Sequence, residues 1–404
     1  MTPLQARAEF PALEQKINGH PLVYLDSAAT TLKPKVVIEA ISNFYAYEAA
    51  NVHRGAHTLG DNATEKFEAT RGSVARLVHA KDAGEIVFTK GTTESINLVV
   101  QSWGRRFLRA GDAVILTEME HHANIVPWQN LADEIGFQIR WIPVTDAGEL
   151  DFHVYQKLLD KKVKMVSLTF ASNTLGTVND VEKFISAAKS MGAKTLIDAA
   201  QAMTIKSVDV QKLNCDFLAF SAHKFYGPFG VGVLYGQSEV LSQMPPYQCG
   251  GAMIAEVTKE KTTFLSPPQR FEAGTPNISG VIGFGRAIDF VREISTEKIS
   301  KHEFELTAHL LERLKALSFV RVIGHSPARV NIVSFVVDGV HSSDIGQLLN
   351  QQGVAVRTGH HCTQPLMKRF GITGTVRVSL GVYNNESDVE ELIRALKKAR
   401  EMLV

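Results

Sequence analysis

Two short apolar runs between Thr195 and Gly227, in TLIDAAQAMTIKSVDVQKLNCDFLAFSAHKFYG, each end in side chains that can do chemistry. Asp198 and Gln201 follow the first run; Ser221, His223 and Lys224 follow the second. Both runs read as buried parallel strands, and in an open α/β sheet ligands sit in the crevice beyond the strand carboxyl ends. A carboxylate and a lysine are then aimed at one cleft. A lysine able to form a Schiff base, with an acid that keeps a pyridine nitrogen protonated, is what pyridoxal phosphate chemistry requires. The plainer alternative is a solvated lysine and a capping aspartate. Gln201, Ser221 and His223, separated by the small residues Ala199, Ala200 and Ala222, favour the cofactor site.

Other stretches add candidates. EIVFTKGTTESINLVVQSW reads as a strand from Glu85 to Thr89, a turn at Lys90 to Thr93 and a helix from about Glu94. Gly91 permits close backbone approach, and Thr92 and Thr93 offer hydroxyls where free N–H groups attract anions, a phosphate cup or an ordinary threonine cap. After a strand at Ala113 to Thr117, His121 and His122 could lie over a flat ring or move protons near neutrality. Asn173 and Thr174 follow the strand Met165 to Phe170, and His53 lies in the polar loop NVHRGAH, which could line a site. In VRTGHHCTQPL, Arg357, His360 and His361 surround Cys362 and would favour its thiolate. Metal is not expected, because adjacent ligands are awkward geometrically and no second pair at zinc spacing appears. Arg377, in the strand TVRVSL, could clamp a carboxylate through its fork or form a structural ion pair.

These residues need a frame. Strands alternating with helices to about residue 236 predict a largely parallel sheet with helices on both faces, α/β in class. The Gly-, Pro- and Ser-rich region through FEAGTPNISG reads as long functional loops, followed by helices at Val281 to Val291 and Thr296 to Leu317. The tail predicts a smaller α+β unit: strands at Arg321 to Ile323, Asn331 to Val337, Val354 to Arg357 and Thr375 to Leu380, with helices at Ser343 to Gln352 and Glu386 to Leu403. The chain has 404 residues, enough for two or three domains. With 43 Lys plus Arg against 42 Asp plus Glu, no field favours nucleic acid or an anionic membrane surface. Three separated cysteines argue against a disulfide framework, and Cys215 beside DFLAF reads as a core filler. Neither a signal peptide nor a span of about 20 apolar residues is visible, so a cytoplasmic enzyme acting on a small molecule is expected.

Along essentially its whole length the chain resembles the class V aminotransferase-type pyridoxal-phosphate enzymes, and among them the cysteine desulfurases of the sulfur-mobilisation and cysteine sulfinate desulfinase group. The matches are YLDSAATTLKP, NVHRGAH, GTTESINLV, EHHANIVPW, IDAAQ, SAHKFYGPFGVGVLYG, FEAGTPN, RTGHHCTQPLM and GTVRVSLGVYN. The resemblance implies the fold type I architecture: an N-terminal segment at 1–20, a large cofactor domain at 21–284 with a seven-stranded sheet, and a small domain at 285–404 carrying the Cys362 loop. It implies that Lys224 carries the cofactor, Asp198 pairs with the ring nitrogen, Gln201 bonds the phenolic oxygen and His121 stacks and moves protons. Thr92, Thr93, Ser221 and His223 would hold the phosphate, with Thr275 lent by the other subunit of a homodimer. Asn173 and Arg377, with Arg357 and His53, would bind substrate, and Cys362 would become a persulfide. The implied reaction takes L-cysteine to L-alanine and passes sulfur to an acceptor protein for iron-sulfur or related cofactor assembly, with selenocysteine and cysteine sulfinate as further substrates. An aminotransferase or another lyase without persulfide chemistry is the alternative. Thr363 stands where many such enzymes have alanine.

Overall fold

The structure, a computed structural model, describes residues 1–204 and 206–403. Seven strands form the central sheet in the spatial order Ile86–Thr89, Gly232–Gly236, Phe217–Ser221, Lys194–Asp198, Val163–Thr169, Ala113–Thr117 and Gln138–Ile142. All neighbours are parallel except at Gly232–Gly236, which runs antiparallel to both of its partners. The apolar runs are continuous because both faces of the sheet are covered. Residues alternate between two cores: Ile197, Leu218 and Phe220 face one, while Leu196, Phe217 and Ala219 face the other. Helix Ile278–Ile294 packs on Lys35–Asn43 and Thr58–Leu77 over one side. Cys215 is fully buried, as a core filler should be.

The smaller lobe holds an antiparallel sheet in the order Val320–Ile323, Ile332–Val337, Thr375–Ser379, Arg357–Gly359. Helices Thr296–Lys315, Ser342–Gln351 and Glu386–Leu403 cover it around a separate core that includes Leu310, Phe335, Val378 and Leu396. The expected strand Val354 to Arg357 is broken at Val356. Val354–Ala355 pairs in parallel with Val23–Tyr24 from the beginning of the chain, and Arg357–Gly359 joins the antiparallel sheet. Val23 and Leu25 consequently sit in the small lobe's core. Among the described residues no helix is long and apolar enough to cross a membrane.

Candidate active site

Strand ends of the large lobe make the floor. Asp198 closes Lys194–Asp198, and its Oδ1 accepts the Ala200 N–H at 2.9 Å. Burial pushes this carboxyl up, while Lys224 opposes the shift by favouring the anion. Ser221 closes the adjoining strand; its Oγ accepts the Thr92 N–H at 2.7 Å and lies 2.7 Å from Thr92 Oγ1. The helix after the turn begins at Thr92, two residues earlier than the spacing suggested, with Gly91 as its cap. Glycine is required at the neighbouring Gly232, where a Cβ would lie 2.4 Å from Gly91 Cα. The two backbones therefore meet directly beneath the cup.

Lys224 ends a single 3₁₀ turn, Ala222–Lys224, that follows the strand. Burial pulls its amine down to about 8, partly offset by Asp198. The turn is braced from outside by Lys33, whose Nζ donates to the His223 carbonyl at 2.9 Å. Tyr226, in the left-handed region at φ 59°, braces it on the other side. Its N–H donates to Thr31 Oγ1 at 2.8 Å, and its hydroxyl donates to Glu303 Oε1 at 3.2 Å across to the small lobe. His121 closes the top of the cavity. Its Nδ1 accepts the Ala123 N–H at 3.1 Å, so the ring's proton belongs on Nε2. Burial and then Lys224 hold it down to about 4, neutral at physiological pH.

The facing wall comes from the small lobe. Arg377 is 2% exposed. It donates to Asn173 O at 2.9 Å and to Asp26 Oδ1 at 3.0 Å, and its Nε is buried without a partner. Arg357 grips the same Asp26 through Nε and one terminal nitrogen, the latter at 2.9 Å. Asp26 thus fixes both guanidinium groups. It was not among the candidates, although its place directly after VYL and the need of a buried Arg377 for an anion were the available signals.

The loop between these arginines carries the thiol. His361 and Cys362 both take left-handed backbone, φ 51° and 57°, which costs non-glycine residues of order 1–3 kcal/mol each and persists only where surroundings enforce it. Ties to the large lobe supply that enforcement. Asn173 Nδ2 donates to His361 O at 2.8 Å, the His122 N–H donates to Cys362 O at 2.8 Å, and Thr363 Oγ1 lies 2.9 Å from Thr174 Oγ1. Asn173, expected at a substrate, gives one amide N–H to the loop and also lines the cavity.

Thr92, Thr93, His121, Asn173, Asp198, Gln201, Ser221, His223, Lys224, Arg357, Cys362 and Arg377 line one cavity of about 290 Å³. Two expected residues lie elsewhere. Thr275 is exposed and lines a separate cleft with Tyr247, within 3.5 Å of Asn51 Nδ2. His53 pairs with Glu68 at 2.9 Å, outside the cavity. Among the described residues no cluster of His, Cys, Asp and Glu could hold a metal ion.

The family model for class V aminotransferases matches residues 23–392. The chain belongs to that family. It is 47% identical to a cysteine desulfurase of Dickeya dadantii over 400 residues, covering 99% of this chain and 97% of that protein. Against a cysteine desulfurase of Synechococcus elongatus it is 47% identical over 394 residues, 98% of this chain and 63% of the longer relative. The solved structure of the Escherichia coli cysteine desulfurase CsdA in its S-sulfonic acid form superposes with a TM-score of 0.94 at 40% identity, covering both chains fully. The chain is a pyridoxal-phosphate enzyme, and the cavity suits that cofactor. Half-buried Lys224 and the buried Asp198 carboxylate feel each other's charge, Ser221 and Thr92 cluster their hydroxyls, and His223 Nδ1 is a buried polar atom without a partner.

Proposed function

We propose that this class V enzyme is a cysteine desulfurase in which L-cysteine and the Cys362 thiol give L-alanine and a Cys362 persulfide. The observation that carries the reading is that Cys362, on a loop of the small lobe, lines the same cavity as Lys224 and Arg377. Bound pyridoxal phosphate would supply the electron sink. Lys224 would hold it, Asp198 would keep its ring nitrogen protonated, Gln201 would donate to its phenolic oxygen, and Ser221, His223, Thr92 and Thr93 would take its phosphate. One Gln201 N–H stays on Ala28 O at 2.8 Å, leaving the other available.

Each remaining group has a task. The unpaired Nε of Arg377 and the second hydrogens of its fork receive the substrate carboxylate, close to Asn173 and Arg357. Lys224, with its amine pulled down to about 8, accepts the α-proton and is poised for return of a proton near neutrality. His121, neutral and protonated at Nε2, donates toward the reacting face. The Cys362 thiolate then attacks the substrate sulfur: an S–S bond forms, the C–S bond breaks, and the carbon skeleton takes up protons to leave as alanine. Selenocysteine and cysteine sulfinate present comparable groups at the same position. A sulfur-acceptor protein would unload Cys362 for iron-sulfur or related cofactor assembly in a reducing, cytoplasmic setting. A homodimer, with Thr275 completing the partner's phosphate site, accounts for that residue lying outside its own cavity.

The test is incubation of the purified enzyme with L-cysteine without reductant, with mass spectrometry of the peptide bearing Cys362 alongside an alanine assay. One sulfur gained on that peptide in step with alanine supports the proposal. Alanine without the modification points to a lyase that needs no persulfide, and amino-group exchange with 2-oxo acids points to an aminotransferase. Cys362→Ala is expected to retain the cofactor's absorbance and lose persulfide formation.

A further inference from the structure

Two backbone amides of the Cys362 loop end on imidazole nitrogens. The Cys362 N–H donates to His360 Nδ1 at 3.1 Å, and the Gln364 N–H donates to His122 Nε2 at 3.2 Å. An amide N–H can only donate, so each accepting nitrogen is bare and each ring is neutral, its proton on the other nitrogen. His122 grips the loop a second time, its own N–H donating to Cys362 O at 2.8 Å. The two rings lie 5.6 Å apart at 35° and close over the thiol's backbone from opposite lobes.

Among the described residues no carboxylate pairs with either ring; the histidines that are so paired are His53 and His309. The titratable and charged groups around them are His121 at 6.4 Å from His122, Cys362 itself, and then His361, Arg357, Arg377 and Lys224 behind the loop. Apart from a Cys362 thiolate and Asp26, whose carboxylate is taken up by Arg357 and Arg377, these are neutral or cationic. Burial and His360 lower the pKa of His122. A proton added to either accepting nitrogen would set two N–H groups against each other and turn an attraction into a repulsion.

We propose that His122 and His360 are positioning residues: their imidazole nitrogens clasp the Cys362–Gln364 backbone and hold the thiol at the cavity, and protonation of the accepting nitrogen of His122 opens the clasp. The catalytic consequence rests on Cys362 being the sulfur-receiving residue; the clasp itself is a property of the loop.

The experiment uses the cofactor-loaded enzyme and the substitutions His122→Gln and His360→Asn, which place a non-titrating acceptor oxygen near the lost nitrogen, alongside His122→Ala and His360→Ala. Amide exchange of residues 362–364, corrected for the intrinsic pH dependence of exchange, is followed by mass spectrometry from about pH 5 to 8, with single-turnover persulfide formation from L-cysteine. Protection in the unaltered enzyme is expected to fall by about tenfold per pH unit once His122 titrates in acid, and the rate of persulfide formation with it. The Gln/Asn double variant is expected to keep its protection in acid, and the double alanine variant to lack it at every pH. Acid-labile protection that persists unchanged in the Gln/Asn double variant would assign the titration to another group and overturn the proposal, as would protection in the unaltered enzyme that does not vary with pH. If the clasp behaves as expected and Cys362 never gains sulfur, the desulfurase reading fails alone. If Cys362 gains sulfur and protection is the same in all variants, the clasp fails alone.

Discussion

The floor of the cavity and the loop that faces it solve the same placement problem by different means. Asp198, Ser221 and Lys224 stand at or just beyond the ends of strands paired in the ladder and packed between two cores, so their positions follow from the sheet. Cys362 stands on a strained loop positioned by ties to another lobe, from Asn173, Thr174 and His122. A floor residue should therefore be replaceable with loss of chemistry and little loss of structure. A tie of the loop should trade chemistry and local order together.

Lys224→Ala tests the first half most severely. Turnover of L-cysteine, read as alanine release, is expected to fall at least about 10²- to 10⁴-fold, the range for a lost acid-base group, and further because the cofactor loses its anchor. The cofactor-free protein should melt no earlier than its parent, since the substitution removes a buried amine rather than a packed core group. Asp26→Asn should be next in size and opposite in character. It takes the charge from the partner of a buried Arg377, which costs about 3–5 kcal/mol where a buried pair is broken. Expected together are a lower melting temperature and a raised KM for L-cysteine; a raised KM with unchanged melting would show that Arg377 does not depend on Asp26. Thr363→Ala is smaller, about 1–3 kcal/mol if it leaves the buried Thr174 hydroxyl unpaired. Faster amide exchange at 361–364 with unchanged cofactor absorbance would place its effect in the loop; a spectral change would merge the two regions. The gentlest probe is pH. Condensation of an aldehyde with Lys224 in cofactor-free protein should rise with pH and level off above about 8, because the neutral amine reacts and burial pulls this amine down. A rise continuing toward the ordinary lysine range would mean that the floor is wetter than its burial implies.

What the chain disclosed in advance follows the same division. The floor was legible because each strand is an apolar run that ends abruptly in polar residues, so fold and site were written in one local pattern. Helix Glu386–Leu403 and strand Ala113–Thr117 fall at the expected bounds for a similar reason: strong periodicity with clear edges. The loop's support was not legible. Asp26 meets Arg357 and Arg377 across 331 and 351 residues, and no spacing rule links them. The break at Val356 depends on a strand contributed by the other end of the chain. Cys362 itself stood out by its polar neighbours, and the resemblance supplied its role. His122 was read alongside His121 as a residue to lie over a ring or move protons, whereas its contacts run to Cys362 and Gln364.

The pairing of Val23–Tyr24 with Val354–Ala355 also sets a timetable. During synthesis the partner of the first strand follows it 331 residues later, which at roughly 5–20 residues per second is a delay of order tens of seconds. Through that interval the large lobe can close on itself while Val23 and Leu25, destined for the second core, remain without their neighbours. The nascent chain thus holds a cofactor floor before it holds a thiol, and the stretch from Val354 onward completes both the small lobe and the reacting pair.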